Sequence, residues 1–553
     1  NVKLGSGLME NGWQFQGRLS KIETDGYIDR AFSDLKSFYL SAARHGEHSL
    51  LRADVFSGKQ QNYHAWNGVS ESKLESGDRT YNSAGTEKPG EPYEDQTDNY
   101  QQDHYQLHYW YDFTDYWNAN ISLHYTYGRG YYEEYKADQL LSEYEMNPIQ
   151  LPDTTIARSD LVRRPWLDNH FYGVVFSTKY NKADRWGLTL GGGYNEYIGD
   201  HFGTVIWAEY AGNTEVKKRY YENDAFKTDF NSYLKVSYKL TDQLSAFADA
   251  QVRYISYEFQ GKDKRPKPGG GQKVVDVQQT DRLTFFNPKL GLTYNFREYH
   301  RAFASLSVGN KEPTRDEYVE STPESRPSHE TLYDWEAGYE ASFNNFFIGA
   351  NLYYMDYKNQ LILTGEINDV GAYVRKNVPD SYRAGLELQG GVQLLPGLEW
   401  SGNATLSRNK IKNYTYYLDN YDSGEQKTIQ YDNPDIAFSP NFIGTSIFEY
   451  SYQTFSAQLT TKYVSRQYLD NTQTESRSLD PYLVNDLRLG YSWNRAPLVK
   501  QVKATLLINN IFSEKYISNG YTYGYISGGE QQHFNYYFPQ APRNFLLQLS
   551  FTF

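Results

Sequence analysis

A chain of 553 residues carrying a formal charge of −13 has room for several soluble domains, yet only 39% of it is hydrophobic and its mean hydropathy is −0.76. No apolar run reaches the 18 residues that a membrane helix needs, which excludes a helical membrane protein. The acidic balance excludes a typical nucleic-acid binder, and the lack of cysteine excludes a disulfide framework and thiolate chemistry. The informative quantity is the 17% aromatic content, carried mainly by 54 tyrosines. Barrels that span membranes keep lumen and loops polar and set such rings at both interfaces. The chain starts at Asn1 without a charged-then-apolar leader, so a signal peptide is expected to have been removed or left out.

In chain order, a period-two alternation of apolar and polar residues recurs throughout, as half-buried strands require. Val2, Leu4 and Leu8 share a face, Met9–Gly12 makes a turn, and Trp13, Phe15, Gly17 and Leu19 follow. Phe38, Leu40 and Ala42 turn at His45–His48 into Leu51, Ala53 and Val55, and a long polar connection spans Lys59 to Asp103. Tyr105, Leu107, Tyr109 and Tyr111 turn at Thr114-Asp115 into Trp117, Ala119, Ile121, Leu123 and Tyr125, before a second long segment from Gly128 to Asn169. Tyr172, Val174 and Phe176 turn at Asn181–Asp184 into Trp186, Leu188 and Leu190, and Phe230 to Tyr238 turns at Thr241-Asp242 into Leu244 to Ala248. Similar pairs turn at Arg297-Glu298, Asn344-Asn345, Pro396-Gly397, near Ser451 (with Phe438, Phe442 and Phe448 on the first strand) and at Asn494–Pro497. The closing stretch Asn544–Phe553 sets Phe545, Leu547, Leu549, Phe551 and Phe553 on one face.

This pattern predicts an all-β fold: an antiparallel transmembrane barrel occupying residues 1–553, with about 21 strands joined alternately by short turns and long loops. A soluble propeller would repeat in blades of four strands and need not alternate long with short. First and last strands both end at the short-turn side, which makes the strand number odd, whereas closed single-chain barrels are even. A 22-stranded barrel is therefore expected, with one strand and a lumen-filling plug domain upstream of Asn1, since barrels of that width are plugged transporters.

Ser305–Tyr318 (S-L-S-V-G-N-K-E-P-T-R-D-E-Y), with Pro313 and Arg315, resembles the strand-to-loop segment of TonB-dependent receptors. Tyr333–Tyr339, with Glu336 and Gly338, is similar to the family's next strand. Asn509-Asn510-Ile511-Phe512 up to Tyr516 is similar to an element near the barrel end, and Pro542–Phe545 to the lead-in of a closing strand that here ends on Phe553. The resemblance implies active uptake across the outer membrane of a Gram-negative bacterium. Ligand would bind at loops and plug apices, and a TonB-type energy-coupling protein would pull on a box in the plug. Neither plug nor box can be placed on residues of this sequence. The other expected partners are outer-membrane lipid and lipopolysaccharide, with a surface lipoprotein also open; no nucleic acid and no cofactor is expected.

Aromatic clusters in the long loops are the candidate ligand surface: Tyr63 with Trp66, Tyr131 and Tyr132, Tyr220, Tyr416, and Tyr523 with Tyr525. Rigid amphipathic rings give contact area at small entropic cost, which suits a bulky organic ligand. Arg163-Arg164 and the run Lys262–Lys267 are basic patches suited to an anionic ferric chelate or to lipopolysaccharide phosphates. His104 and His108 share a strand face roughly 13 Å apart, too far for one metal, and no metal site is expected. No G-x-S-x-G, H-E-x-x-H or cysteine nucleophile occurs, so no enzyme is expected. The expected function is import of a scarce bulky nutrient, foremost a ferric siderophore, with haem, cobalamin and oligosaccharide also open. The alternative is a passive wide channel or an adhesion barrel.

Overall fold

A computed structural model describes residues 1–182, 185–212, 218–266, 272–319, 321, 326–368, 372–494 and 499–553. Among the described residues the chain forms a 23-stranded sheet, two of whose members, Glu134–Leu140 and Gln272–Asp276, are short pieces confined to loops. The other twenty-one make one antiparallel meander in which each strand pairs with its neighbours in the barrel order. Val2–Leu8 pairs with Trp13–Thr24, and Asn544–Thr552 with Gln501–Asn509; among the described residues these two outer strands are not paired with each other.

The alternation read from the sequence is the outer wall. Leu19, Leu40, Leu107, Leu123, Trp186, Leu190, Leu290, Leu352 and Phe551 all stand exposed on it, as lipid-facing residues do in a chain without its bilayer. Rings border the band: Trp186 packs on Tyr238 at its short-turn edge, with ring centroids 4.3 Å apart, and Tyr105 on Tyr125 at its long-loop edge, 6.0 Å apart. Beyond that edge the outward positions turn polar, but pairing continues. Strands such as Arg158–Lys182 and Trp186–Ala208 therefore run far above the band, and the long connections shrink to 64–96 and 133–157. Hydropathy could not show this extension, because hydrogen bonding needs no apolar face.

Two local expectations are corrected. Leu8 lies beyond a bulge in which Gly7 takes φ +68°, so simple alternation does not carry through Ser6. Phe438 precedes its strand, Phe442–Tyr452, and packs in a loop cluster beside Leu469 with φ +52°. The turn positions 183–184 and 495–497 and the stretch 267–271 lie outside the described residues.

On the lumen side, Gly338 faces Phe303 directly across the ladder. A Cβ built there would come within 2.3 Å of the Phe303 ring, so the Glu-x-Gly motif reads as a slot that an aromatic ring fills. Gly338→Ala is expected to cost about 1–2 kcal/mol, measured by urea unfolding in detergent, and Phe303→Ala in the same chain should restore most of it.

Candidate ligand vestibule

The large fully buried side chains lie mainly at the long-loop end, among them Val69, Leu141, Leu161, Tyr220, Phe259, Tyr318, Leu418 and Leu469. The loops are thus built around cores of their own. Three of them share one five-stranded sheet: Glu425–Asp432, Asn413–Asn420, Ile517–Ser527, Glu530–Pro539 and Val69–Ser70. The pairing between Asn413–Asn420 and Ile517–Ser527 is parallel and short, Asp419 opposite Tyr525 and Asn420 opposite Ile526. It is locked by Asp422, whose carboxylate accepts the N–H groups of Gly528 (2.9 Å) and Gly529 (2.8 Å); these bonds hold it below the usual carboxylate range.

One face of this sheet carries a ladder of rings. Phe538, Tyr521, Tyr536, Tyr523, Phe534, Tyr525 and Tyr421 follow one another with centroids 4.8 to 6.3 Å apart. Tyr521 opposes Tyr536 and Tyr523 opposes Phe534 across a Gly528-Gly529 turn, so the stack is a product of register. Tyr523 and Phe534 remain 37% and 36% exposed, enough open ring to receive a ligand. The opposite face is sealed. Arg477 is buried against Asp470 at 2.6 Å and donates to the His533 ring, while Asp470 also accepts from the Thr472 N–H (2.9 Å) and hydroxyl (2.7 Å).

The segment Glu312–Val319 builds the other side of the mouth. Glu312 is clamped by Lys227 (2.6 Å) and Arg253 (2.8 Å), which hold its carboxyl down at about 2 against the effect of burial. Pro313 ends the strand, and Thr314 donates its N–H to Glu317, in the manner of a capping box, at the head of the helix Arg315–Val319. That turn delivers Tyr318 and Val319 into a core with Ala225, Tyr257 and Phe259. It also sets the Arg315 guanidinium on Asn223 (2.6 Å), beside Asp263 at 3.5 Å.

His201, half-buried nearby with its Nε2 atom shielded from solvent, is pushed down to about 3, first by desolvation and then by Arg315. Its folded value lies below the ordinary 6.5, so the stability it contributes is complete above pH 6.5 and is lost as pH falls towards 3. Amide protection of residues 315–319 should therefore weaken over that window, and His201→Gln should flatten the dependence in hydrogen-exchange mass spectrometry.

Several residues expected at a ligand surface sit instead inside the loop cores. Tyr63 is buried and donates to the Tyr93 carbonyl (2.8 Å), and Tyr416 is buried with Ile411 and Leu418. Tyr220 lies beneath Tyr144 (4.8 Å) and the Lys264 ammonium (4.3 Å), so part of the basic run Lys262–Lys267 points into a core. Arg163 is buried on Glu134 at 2.8 Å. Arg164 pairs with Glu133 at 2.6 Å and covers the Tyr131 ring, and Trp66 meets Tyr132 edge-on at 5.4 Å; Arg164, Tyr131, Trp66 and Tyr132 are half-buried. Only Tyr523 and Tyr525 join the open ladder. The motif residues Asn509 and Asn510 act in the frame: Asn509 donates to Asn544 (2.8 Å). Asn510, at φ +49°, donates its N–H to Asp486 and its amide to the Glu514 carbonyl, pinning the start of the last loop. Glu336 lies on the lumen wall opposite Ser305, and Phe553 is exposed at the short-turn rim.

Sequence reasoning missed Phe534, Tyr421 and the Asp470–Arg477 pair. The signal for the first was available: tyrosines at 521, 523 and 525, a Gly-Gly pair, and aromatics at 534, 536 and 538.

The chain resembles solved outer-membrane receptors over almost its whole length at low identity. The ferric-catecholate import receptor Fiu of E. coli K12 superposes with TM-score 0.68 at 15% identity, covering 99% of this chain and 80% of Fiu. The ferric citrate transporter FecA gives 0.72 at 13%, covering 100% and 75%, and the copper transporter OprC gives 0.71 at 12%, covering 100% and 80%. The family model described as TonB dependent receptor-like, beta-barrel matches residues 38–511. With its twenty-one-strand meander, lipid-facing band and cored loops, this chain belongs to the TonB-dependent receptor β-barrel family of the Gram-negative outer membrane.

Proposed function

We propose that the chain is the barrel of an energy-coupled importer whose cargo is a ferric siderophore, received at the mouth by the aromatic ladder from Tyr421 to Phe538. The observation that carries this reading is the ladder itself: a row of stacked, partly open rings on a sheet that three loops share. Planar catecholate-like or aryl-bearing chelates fit such a surface by stacking. Two of the similar structures, Fiu and FecA, are described as handling ferric chelates, and OprC as handling copper. The family is TonB-dependent, so a TonB-type coupling protein would drive the import. Transport, not catalysis, is the activity.

The test is uptake of radiolabelled iron complexes by a deletion strain complemented with the gene. The expected result is saturable uptake of a ferric siderophore that collapses with a protonophore. Uptake indifferent to the protonophore would make the barrel a passive channel, and copper uptake without iron uptake would replace the cargo.

A further inference from the structure

We propose that a row of three lysines on the outer wall, Lys21, Lys36 and Lys59, binds the phosphate groups of lipopolysaccharide. The three belong to neighbouring strands and are directly opposed: Lys21 faces Lys36, and Lys36 faces Lys59. All point outward in the same rows as the lipid-facing residues, one or two outward positions beyond Leu19, Phe38 and Val55 at the long-loop edge of the band. Because the chain belongs to an outer-membrane family whose long loops are extracellular, that edge meets the outer leaflet.

Directly opposed like charges destabilise a sheet, so folding alone gives no reason for the row. Two carboxylates answer it in part: Glu23 binds Lys21 at 2.5 Å and Asp34 binds Lys36 at 2.9 Å, both one outward position further from the band. Those pairs leave the lysine side chains 53% and 59% exposed, with ammonium donors to spare. Lys59 has no carboxylate within 4.0 Å among the described residues and is exposed. Three cations against two carboxylates leave a net positive patch. Strands lie about 4.8 Å apart, so the patch spans roughly 10 Å. A shallow groove lined by Val2, Leu19 and Phe38 adjoins the ammonium groups, giving acyl chains an apolar seat under the phosphates. Of the basic residues first expected to meet lipopolysaccharide, Arg163 and Arg164 are committed to Glu134 and Glu133, and Lys264 of the run Lys262–Lys267 lies over the Tyr144 and Tyr220 rings.

The site is tested with the intact receptor purified from outer membranes in detergent, by native mass spectrometry and titration with lipopolysaccharide. Wild-type receptor should bind diphosphorylated lipopolysaccharide. Each Lys→Gln change should weaken this about fivefold, and the triple Lys21→Gln/Lys36→Gln/Lys59→Gln variant on the order of 100-fold, from about 1 kcal/mol per lysine at an anionic surface. Dephosphorylated lipopolysaccharide should bind no better to wild type than to the triple variant. The triple Lys→Arg variant, which keeps the charge, should retain binding. Equal binding by wild type and the triple Gln variant, equal affinity for the dephosphorylated form, or equal affinity for phosphatidylglycerol micelles would each overturn the assignment. If the triple Gln variant fails to fold, Lys59→Gln decides alone: unchanged affinity refutes the site. Siderophore binding should be unchanged in every variant, which separates this site from the cargo reading.

Discussion

Asp470→Ala is expected to release the extracellular sheet from its support, at a cost of about 3–5 kcal/mol, the usual penalty for leaving a buried charge without its partner. Asp470 and Arg477 have side chains only 2% and 4% exposed and sit 2.6 Å apart, so truncating the carboxylate strands a guanidinium whose Nε already lacks a hydrogen-bond partner among the described residues. It also removes the acceptor of the Thr472 N–H and hydroxyl. Arg477→Met should cost less, because Asp470 keeps both Thr472 donors while a methionine still covers the Tyr416 ring. Hydrogen exchange resolved by peptide is the measurement. Protection should fall across 465–481 and 517–539 in Asp470→Ala and stay unchanged in the barrel strands. The double variant should recover part of the loss, since it leaves neither charge unpaired. Uniform protection in Asp470→Ala would mean that the pair does not support the sheet.

The second large effect concerns the ladder. Tyr523→Ala and Phe534→Ala should each weaken ferric siderophore binding about tenfold, and together on the order of 100-fold, the range of an aromatic anchor lost from an interface centre. Tyr523→Phe should stay close to wild type if the ring and not the hydroxyl makes the contact. Tyr416→Ala is the counterpart that distinguishes binding from folding: its ring is buried with Ile411 and Leu418, so its truncation should lower loop protection by about 3–5 kcal/mol. Titration calorimetry with the ferric complex beside hydrogen exchange separates the two. Loss of affinity with unchanged exchange is expected for Tyr523→Ala, and loss of exchange protection for Tyr416→Ala.

How much could be read beforehand differs from element to element. The outward rows Tyr105 to Tyr111 and Trp117 to Tyr125 were legible because side chains in a strand alternate and lipid demands apolar residues on one face. The hairpin across Gly528-Gly529 was passed over although the Gly-Gly pair between alternating aromatics signals it; with Ser527 opposite Glu530, period two places Tyr523 against Phe534. The burial of Tyr220 or Arg163 was not. A tyrosine in a polar loop reads the same whether Lys264 and Tyr144 cover it or solvent does. An arginine beside an acidic segment reads the same whether or not Glu134 folds back onto it.

The sequence by itself determined the wall: about 21 antiparallel strands, their order and, Leu8 and Phe438 apart, the rows that face lipid, because every barrel strand pairs with its neighbour along the chain and carries its own periodicity. Only the tertiary structure decided the mouth and the charge on the wall. The parallel step between Asp419 and Tyr525, the Asp470–Arg477 pair behind the ladder and the line of Lys21, Lys36 and Lys59 all depend on which residues end up opposite or above one another. That is set by ladder register and loop packing, for which side-chain periodicity carries no signal.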